Sequence, residues 1–321
     1  MGKSSGLGDY LWLSGVDLSS DTQSGKLSGS KALLDFTGIN NLAFVRQGGQ
    51  RTADIDWVSY FDGTVAHPLL SALPTSDVLA TYVTNLGSAS SAIGNPAYCM
   101  QGLQLNYDPT RSTAGALTFA ITTDSDNYGG EWGVLLTSGI RTDTAATNGP
   151  DFDAAGGFTT PSVPLTTVPV QNTSGLPYSV VVSGGTVTLV TVNGTSVGTG
   201  DGTYAVPAGA SIAITYSAAP TWTWTAAPPA YGAQAYLHVF GFTGTDATVA
   251  IQGAPDNSTW TTITGLSFAQ TTSGPGYQRI ASSNTTAIPR YLRAITTTVG
   301  GFSSLQFGVV VVRNQVAGQT F

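Results

Sequence analysis

The sequence has few charged residues and almost none of the types that cover exposed helices. Charged side chains make up 9% of the 321 residues, against about 25% in an average soluble chain. Glu131 is the only glutamate, and Lys3, Lys26 and Lys31 are the only lysines. Because Glu, Lys, Gln and Arg normally fill the exposed faces of helices, this scarcity excludes a mostly helical protein.

Cysteine and long apolar segments are also scarce. The single cysteine, Cys99, cannot form an internal disulfide, which excludes a secreted scaffold held by disulfides. No run of about 18 apolar residues occurs, and the first residues lack the apolar core of a signal peptide. The net charge of −7 disfavours a protein that binds nucleic acid by neutralising phosphates. We expect a soluble chain that is made in a reducing cytoplasm and associates with copies of itself.

Small and β-branched residues take the place of the missing charges. Glycine contributes 40 residues, and Thr, Ser, Ala and Val fill the stretches between turns, which is typical of short strands. The best helix candidate is Pro68–Leu73, because proline suits a first helical turn. The sequence therefore predicts a mainly β protein with a short helix. The predicted strands include Leu11–Val16, Lys31–Thr37, Ala53–Phe61, Ala97–Tyr107, Ala116–Thr123, Trp132–Ser138, Tyr236–Phe242 and Leu305–Arg313.

Two stretches without periodicity divide the chain into three predicted domains. The first stretch covers residues 142–164, and the second is the proline-rich segment Ala226–Gly232. They predict a β domain with a short helix over residues 1–150, a small immunoglobulin-like β-sandwich over 165–226 and a C-terminal β domain over 232–321. The last domain is a possible partial repeat of the first, because Leu117–Trp132 and Thr248–Trp260 both read as strand, Asp-Asn turn and tryptophan. A chance likeness of threonine-rich hairpins is the other interpretation.

Residues that could form a catalytic or metal site do not occur in a workable pattern. The two histidines, His67 and His238, cannot form a recognisable zinc site with Cys99. The segment Asp124–Gly129 begins like a calcium loop but lacks the closing acid, so it predicts a hairpin turn. We therefore expect no enzymatic activity, no catalytic residues, no cofactor and no metal.

Two sets of side chains remain as candidate sites. Asp54 and Asp56 alternate with apolar residues, so they lie on one face of a strand. A solvated strand face is the simpler interpretation, and in an assembly this face could form an acidic channel wall. Trp222 and Trp224 share a strand face, and together with Trp260 they could stack on sugar rings. Packing in the core of a sandwich is the other interpretation of these tryptophans.

Several segments of the first domain resemble a known family. The segments Gly15-Val-Asp-Leu-Ser-Ser20, Leu33-Leu-Asp-Phe-Thr37 and Arg51–Asp62, followed by the helix candidate, resemble the start of the tail tube (major tail) proteins of long-tailed bacteriophages. The segment Val206–Tyr216 resembles the immunoglobulin-like modules that decorate phage virion proteins. The resemblance implies a tail-tube-like β-sandwich or barrel domain over residues 1–150 and a structural protein of the virion tail, made in the cytoplasm of a host bacterium.

The same resemblance implies a mechanism that is physical rather than catalytic. Copies of a tail tube protein form rings, and the stacked rings form a conduit for double-stranded DNA, with Asp54 and Asp56 as candidate lumen-facing residues. A hexameric ring is favoured over a trimer, other tail proteins are the further partners, and no membrane is involved. The alternatives are a capsid decoration or minor tail protein, or a carbohydrate-binding adhesion protein of the virion that uses Trp222, Trp224 or Trp260.

Overall fold

The computed structural model describes residues 8–37, 46–85, 93–113, 115–142, 146–151, 160–173, 177–227, 230–255 and 257–314. The regular secondary structure of the described residues is nearly all β-strand, with one short helix, α1 (Ala66–Leu70). This confirms the prediction of a mainly β fold, and α1 overlaps the predicted helix Pro68–Leu73.

The first part of the chain builds most of a twelve-stranded antiparallel sheet. All of its strands belong to that sheet except β10, which lies in a second sheet. The strands are β1 (Tyr10–Leu13), β2 (Val16–Asp17), β3 (Thr22–Asp35), β4 (Arg46–Tyr60), β5 (Val78–Val83), β6 (Pro96–Gln104), β7 (Asp108–Arg111), β8 (Leu117–Ser125), β9 (Glu131–Arg141) and β10 (Ala146–Asp151).

The middle part of the chain forms a separate pair of small sheets, ordered β11-β16-β13-β14 and β15-β12-β17. Tyr178, Val180, Ile212 and Ile214 are buried between them, as expected for two sheets that pack face to face. The strands are β11 (Val170–Gln171), β12 (Tyr178–Ser183), β13 (Thr186–Val192), β14 (Thr195–Gly198), β15 (Gly202–Val206), β16 (Ser211–Ala218) and β17 (Thr221–Ala226).

The last part of the chain returns to the large sheet. Strand β23 pairs with β9 from Leu305↔Arg141 to Val311↔Val134, and β18 and β21 follow it in the sheet order. Because the first and last regions share this sheet, strand pairing does not separate them, and the division into three domains stays a prediction. The strands are β18 (Ala233–Gly244), β19 (Thr248–Ala254), β20 (Thr261–Ser267), β21 (Gly276–Ala281), β22 (Tyr291–Thr297) and β23 (Phe302–Arg313).

Strand β23 is a central strand, as its apolar sequence predicts. It pairs with β9 on one side and β18 on the other, and its residues from Phe307 to Arg313 are all buried. One face of these three strands packs against the second sheet, ordered β10-β22-β19-β20, in a core that includes Leu237, Val309 and Ile251. A run of apolar residues without alternation is typical of a strand that is covered on both faces.

The large sheet bends back on itself without closing. Its longest path runs β2-β1-β5-β6-β9-β23-β18-β21, and the bend packs Trp12 against His238 and Phe240 of β18. The two ends of the path meet through individual contacts instead of a ladder. The Tyr277 hydroxyl donates to the carbonyl of Asp77 at 2.6 Å, and the Gly15 amide donates to His238 Nδ1 at 3.2 Å.

A second layer packs on the other face of β1, β5 and β6. Strands β4 and β8 and helix α1 supply it, and the core between the layers contains Leu13, Ile55, Trp57, Leu70 and Met100. Strands β3 and β7 extend this layer as its edges, since β3 pairs only with β4 and β7 only with β8 among the described strands. The layer thus has one face on the core and one face directed outward.

The β3–β4 hairpin continues far beyond the sheet that carries it. Pairing of β4 with β8 ends at Asp54↔Asp124, whereas the hairpin ladder continues to Asp35↔Arg46. At about 3.3 Å per residue, the eight residues from Asp54 to Arg46 project the ladder by roughly 26 Å. Three large apolar side chains lie near its far end, with exposed fractions of 61% for Leu33, 46% for Leu34 and 60% for Phe36.

Close packing around Trp12 leaves no room for a side chain at Gly308 of β23. A Cβ atom at Gly308 would lie 2.6 Å from Cη2 and Cζ3 of Trp12, which is only 1% exposed. We expect Gly308→Ala to lower the free energy of unfolding by about 1–3 kcal/mol, because the indole has no space to move. Gly276→Ala in β21 is the control, since no atom lies within 4 Å of that Cβ position. Equal denaturation midpoints for the two variants would contradict this packing.

His238 makes the stability of the fold sensitive to acid. It is fully buried, and burial lowers its pKa from 6.5 to about 3. Nδ1 accepts from the Gly15 amide, so Nε2 carries the proton and donates to Thr81 Oγ1 at 2.9 Å. The folded state binds this proton more weakly than the unfolded state, so the contribution of His238 to stability is complete above about pH 6.5 and is lost as the pH falls towards 3.

Between about pH 6 and pH 3, we expect the free energy of unfolding of the wild type to fall as the pH is lowered. This fall should be steeper than in His238→Gln by about 1.4 kcal/mol per pH unit. The Gln amide can still donate to Thr81 but does not titrate in this range. Urea denaturation of both proteins across this pH range measures the two slopes. Identical slopes would show that the imidazole does not titrate with folding.

Candidate functional site

The outward surface of β3, β4, β8 and β7 carries a group of four aspartates. On β4, Ala53, Ile55 and Trp57 are buried, so the alternating residues Asp54 and Asp56 face outward and are half-buried. On β8 the same alternation directs Asp124 outward, and on β7 Asp108 lies opposite the exposed Ala120. We call this surface the acidic face, and its acids are Asp54, Asp56, Asp108 and Asp124.

Two of the acids occupy directly paired positions. Asp54 and Asp124 are Cα partners in the antiparallel ladder of β4 and β8. Like charges in such positions destabilise a sheet by roughly 0.2–1 kcal/mol, and an exposed site softens this cost by solvation. The pair therefore does not stabilise the sheet, so folding does not explain why two acids occupy these positions.

Asp56 is the acid that has partners. Its Oδ1 accepts from Thr122 Oγ1 at 2.8 Å, and its Oδ2 lies 3.8 Å from Nζ of Lys26 on β3. Because the lysine side chain is 73% exposed, this ion pair contributes at most about 1 kcal/mol to the stability of the fold. Asp56 is thus fixed in place by the neighbouring strands and remains accessible to solvent.

Hydroxyl groups lie beside the acids on the acidic face. Ser30 and Thr52 Oγ atoms lie 2.8 Å apart across the hairpin, and the Thr118 hydroxyl donates to the Thr110 carbonyl at 3.3 Å. Short hydroxyl side chains that bond to their own sheet add polar groups without adding charge. The acidic face is therefore a hydrated surface of negative charge and not a cleft suited to chemistry.

The structure places the candidate tryptophans apart from the acidic face and in two different surroundings. Trp222 and Trp224 are 7% and 6% exposed in the core of the middle sandwich. Their rings meet edge to face at 5.5 Å, and Trp222 Nε1 donates to the Pro161 carbonyl at 2.7 Å. Because neighbouring core residues cover both rings, neither presents a free face to a sugar, which corrects the idea of a shared stacking surface.

Trp260 lies in the last region, away from the other two tryptophans along the chain. It is half-buried, and Cζ of Arg293 lies 4.3 Å from the centroid of its ring. The guanidinium is held in that position because Nε and Nη2 of Arg293 donate to Gln252 Oε1 at 2.9 and 2.7 Å. The arginine therefore occupies one face of the indole by a cation–π contact.

In the part of the chain that the structure describes, no other arrangement of titratable residues suggests chemistry. Among the described residues, no group of three or more His, Cys, Asp or Glu side chains could hold a metal ion. Burial raises the pKa of the Cys99 thiol, so the sulfur stays protonated and unreactive. The described part of the chain also contains no helix long and apolar enough to span a membrane.

Sequence reasoning identified Asp54 and Asp56 but missed the other members of the acidic face. The alternation in Leu117–Asp124 is as regular as that of β4 and could have placed Thr122 and Asp124 on an outward face. What the sequence could not supply is the neighbour relation, because β4 and β8 are separated along the chain by α1, β5, β6 and β7.

No protein-family model matches the chain, and no curated protein matches it. Among solved structures, the fold is similar to the crystal structure of SPP1 Dit (gp 19.1). That protein is described as a paradigm of the hub adsorption apparatus in phages that infect Gram-positive bacteria. The sequences are 10% identical, the match covers 95% of this chain and 98% of that chain, and the TM-score is 0.28. At that TM-score the likeness carries no functional argument, so the function has to be inferred from the residues of this chain.

Proposed function

We propose that the chain is a structural protein of a phage tail, and that copies of it form rings that stack into a tube for double-stranded DNA. The observation that carries this proposal is the acidic face, on which Asp54 and Asp56 are joined by Asp108 and Asp124. The sequence resemblance of Gly15–Ser20 and Arg51–Asp62 to tail tube proteins points in the same direction.

A wall of this kind suits DNA that must slide without binding. Cations on a protein surface release the counterions of the phosphates and hold DNA, whereas carboxylates do not. Lys26 is paired with Asp56, so the cation on the acidic face is matched by an acid on the next strand. The hydroxyl groups around them keep the surface hydrated. In the proposed tube, the acidic face lines the lumen.

The free edges of the outward layer support assembly with other copies. Strand β3 is fourteen residues long and pairs with β4 alone among the described strands, and β7 at the other edge pairs with β8 alone. A long unpaired edge is a template for pairing with another chain, and closure into a barrel removes all such edges. Edge-to-edge contact between copies would join the outward layers into one continuous wall.

Six copies per ring suit the chain better than three. A threefold ring requires the last region to repeat the wall unit of the first. Strands β19 and β20 pair directly as a hairpin, whereas β8 pairs with β4, β6 and β7, and β9 pairs with β6 and β23. The described part of the last region also has no helix equivalent to α1. Each chain therefore supplies one wall unit, and other tail proteins complete the tail.

Negative-stain electron microscopy of the purified chain tests the proposal directly. We expect rings with sixfold symmetry or stacked tubes. Threefold rings, with one chain spanning two wall units, would overturn the symmetry. Monomers or trimers that bind only to preformed capsids would overturn the tube and favour a decoration protein.

The charge of the proposed lumen can be tested on assembled protein. Asp54→Lys changes the charge of each copy by two units, and its lysine would face Asp124 across the ladder. We expect variant assemblies to retain short double-stranded DNA at low salt, whereas wild-type assemblies release it. The control adds the same two units on the outer strand of the sandwich, as Thr223→Lys with Thr225→Lys. Equal DNA retention by the control variant and by Asp54→Lys would show that the acidic face does not line the lumen.

The exposed end of the β3–β4 hairpin is expected to be covered by another copy. A triple variant with Leu33→Ser, Leu34→Ser and Phe36→Ser should keep the denaturation midpoint of the wild type, because these side chains have no core contacts to lose. The same variant should reduce assembly by at least about tenfold. The control replaces three exposed apolar side chains elsewhere, as Leu165→Ser, Val181→Ser and Val197→Ser. Light scattering of both variants measures assembly. A hairpin variant that assembles like the wild type would contradict this contact.

A further inference from the structure

A polar cleft opens where the β3–β4 hairpin leaves the large sheet. It has a volume of about 470 Å³ and lies between β4 and the turn that joins β8 to β9. This volume falls within the range of about 300–1,000 Å³ that small-molecule sites occupy. The side chains that give the cleft its chemistry are Gln50, Arg51, Ser125, Asn127, Tyr128 and Glu131.

Glu131, the only glutamate of the chain, forms the buried end of this cleft. Its side chain is 9% exposed, and burial raises its pKa. Oε2 accepts from the Tyr236 hydroxyl at 2.8 Å, and Oε1 accepts from Gln234 Nε2 at 3.2 Å. Arg51 Nη2 lies 3.8 Å from Oε1, beyond a normal hydrogen bond. A carboxylate can accept about four hydrogen bonds, so Glu131 has capacity for a donor on a ligand.

Tyr128 supplies an aromatic wall whose position is fixed from behind the turn. Cζ of Arg279 lies 3.6 Å from the centroid of its ring. Nε and Nη2 of Arg279 are buried and have no hydrogen-bond partner among the described residues, so the guanidinium is compensated by its contact with the ring and by the charge of the nearby Glu131 carboxylate. Because moving the ring would uncover these nitrogens, Tyr128 is held as a rigid wall before any ligand arrives.

The combination of groups selects the class of ligand. Arg51 and Glu131 cancel each other's charge, while the amides of Gln50 and Asn127 and the Ser125 hydroxyl each combine donors with acceptors. Asp126 in the same turn and Asp124 near the end of β8 repel an anion, and Arg51 and Arg279 repel a cation. A neutral molecule rich in hydroxyl groups satisfies such a set, since every hydroxyl both donates and accepts. The ring of Tyr128 suits its apolar C–H face.

We propose that this cleft binds a neutral saccharide, with the Tyr128 ring stacking on a sugar ring and Glu131, Arg51 and Asn127 bonding to its hydroxyl groups. The site does not depend on the proposed tube, because all of its residues belong to one chain. It also differs from the tryptophan surface expected from the sequence, since Trp222 and Trp224 are buried in the middle sandwich.

An array of neutral and anionic glycans probed with the full-length chain identifies the sugar. Calorimetric titration with the neutral glycan that binds best then compares the affinities of the variants. We expect Tyr128→Ala to weaken binding by at least about tenfold and Tyr128→Phe to retain it. Asn127→Gly should also weaken binding, and glycine readily adopts the positive φ of 59° found at this position. Tyr60→Ala, which removes a 45% exposed tyrosine elsewhere on β4, should bind as the wild type does.

Each other result overturns the proposal. Binding to no glycan, or to anionic glycans alone, removes the neutral saccharide as the ligand. Loss of binding in Trp260→Ala with unchanged binding in Tyr128→Ala moves the site to the last region of the chain. Denaturation midpoints of all variants separate loss of binding from loss of folding, and Tyr128→Phe, which keeps the ring over Arg279, provides a folded reference.

Discussion

The fold depends on the ladder between β9 and β23, which joins the first and last regions of the chain. Gly133 makes the close approach possible, because a Cβ atom there would lie 2.4 Å from the Val311 carbonyl oxygen. On its other edge β9 pairs with β6, whose far end pairs with β8. Strand β6 therefore connects the buried central strands to the outward layer that carries the acidic face. Strand β9 also brings Glu131, its first residue, within hydrogen-bond reach of Gln234 and Tyr236 on β18.

Strand alternation allows one layer to serve the core and the surface at once. The inward residues of β4 and β8, such as Ile55, Trp57 and Ile121, are almost fully buried. The outward residues of the same strands include several acids and hydroxyls, among them the paired acids Asp54 and Asp124. Burial of a large apolar side chain contributes about 1.5–3 kcal/mol, several times the cost of one exposed like-charge pair. The core can therefore sustain an outward face whose charge serves another molecule and not the fold.

Local pattern was enough to predict the class of fold and the direction of some side chains, but not which strands are neighbours. The alternation around Asp54 and Asp56 and the unbroken apolar run of β23 are local signals, and both agree with the structure. The pairing of β9 with β23 joins segments far apart in sequence, and nothing in either segment specifies the partner. Trp222 and Trp224 show a related limit. Two tryptophans two residues apart share a strand face in either interpretation, and only the second sheet, packed over them, assigns that face to the core.

The cleft and the acidic face meet at the base of the β3–β4 hairpin, and this position has a mechanical consequence. Arg51 belongs to the hairpin, whereas Glu131 and its partners belong to the central sheet. Their contact of 3.8 Å is too long for a strong hydrogen bond, so it adds little to the bonds that fix the base of the hairpin, from the Tyr98 hydroxyl to the Ser28 carbonyl and from the Ala53 amide to Ser125 Oγ. A ligand that bonds to both residues would favour the hairpin orientation in which they face each other, by as much as its affinity differs between orientations. Because the same hairpin carries Leu33, Leu34 and Phe36 at its far end, occupancy of the cleft would bias where those side chains meet another copy.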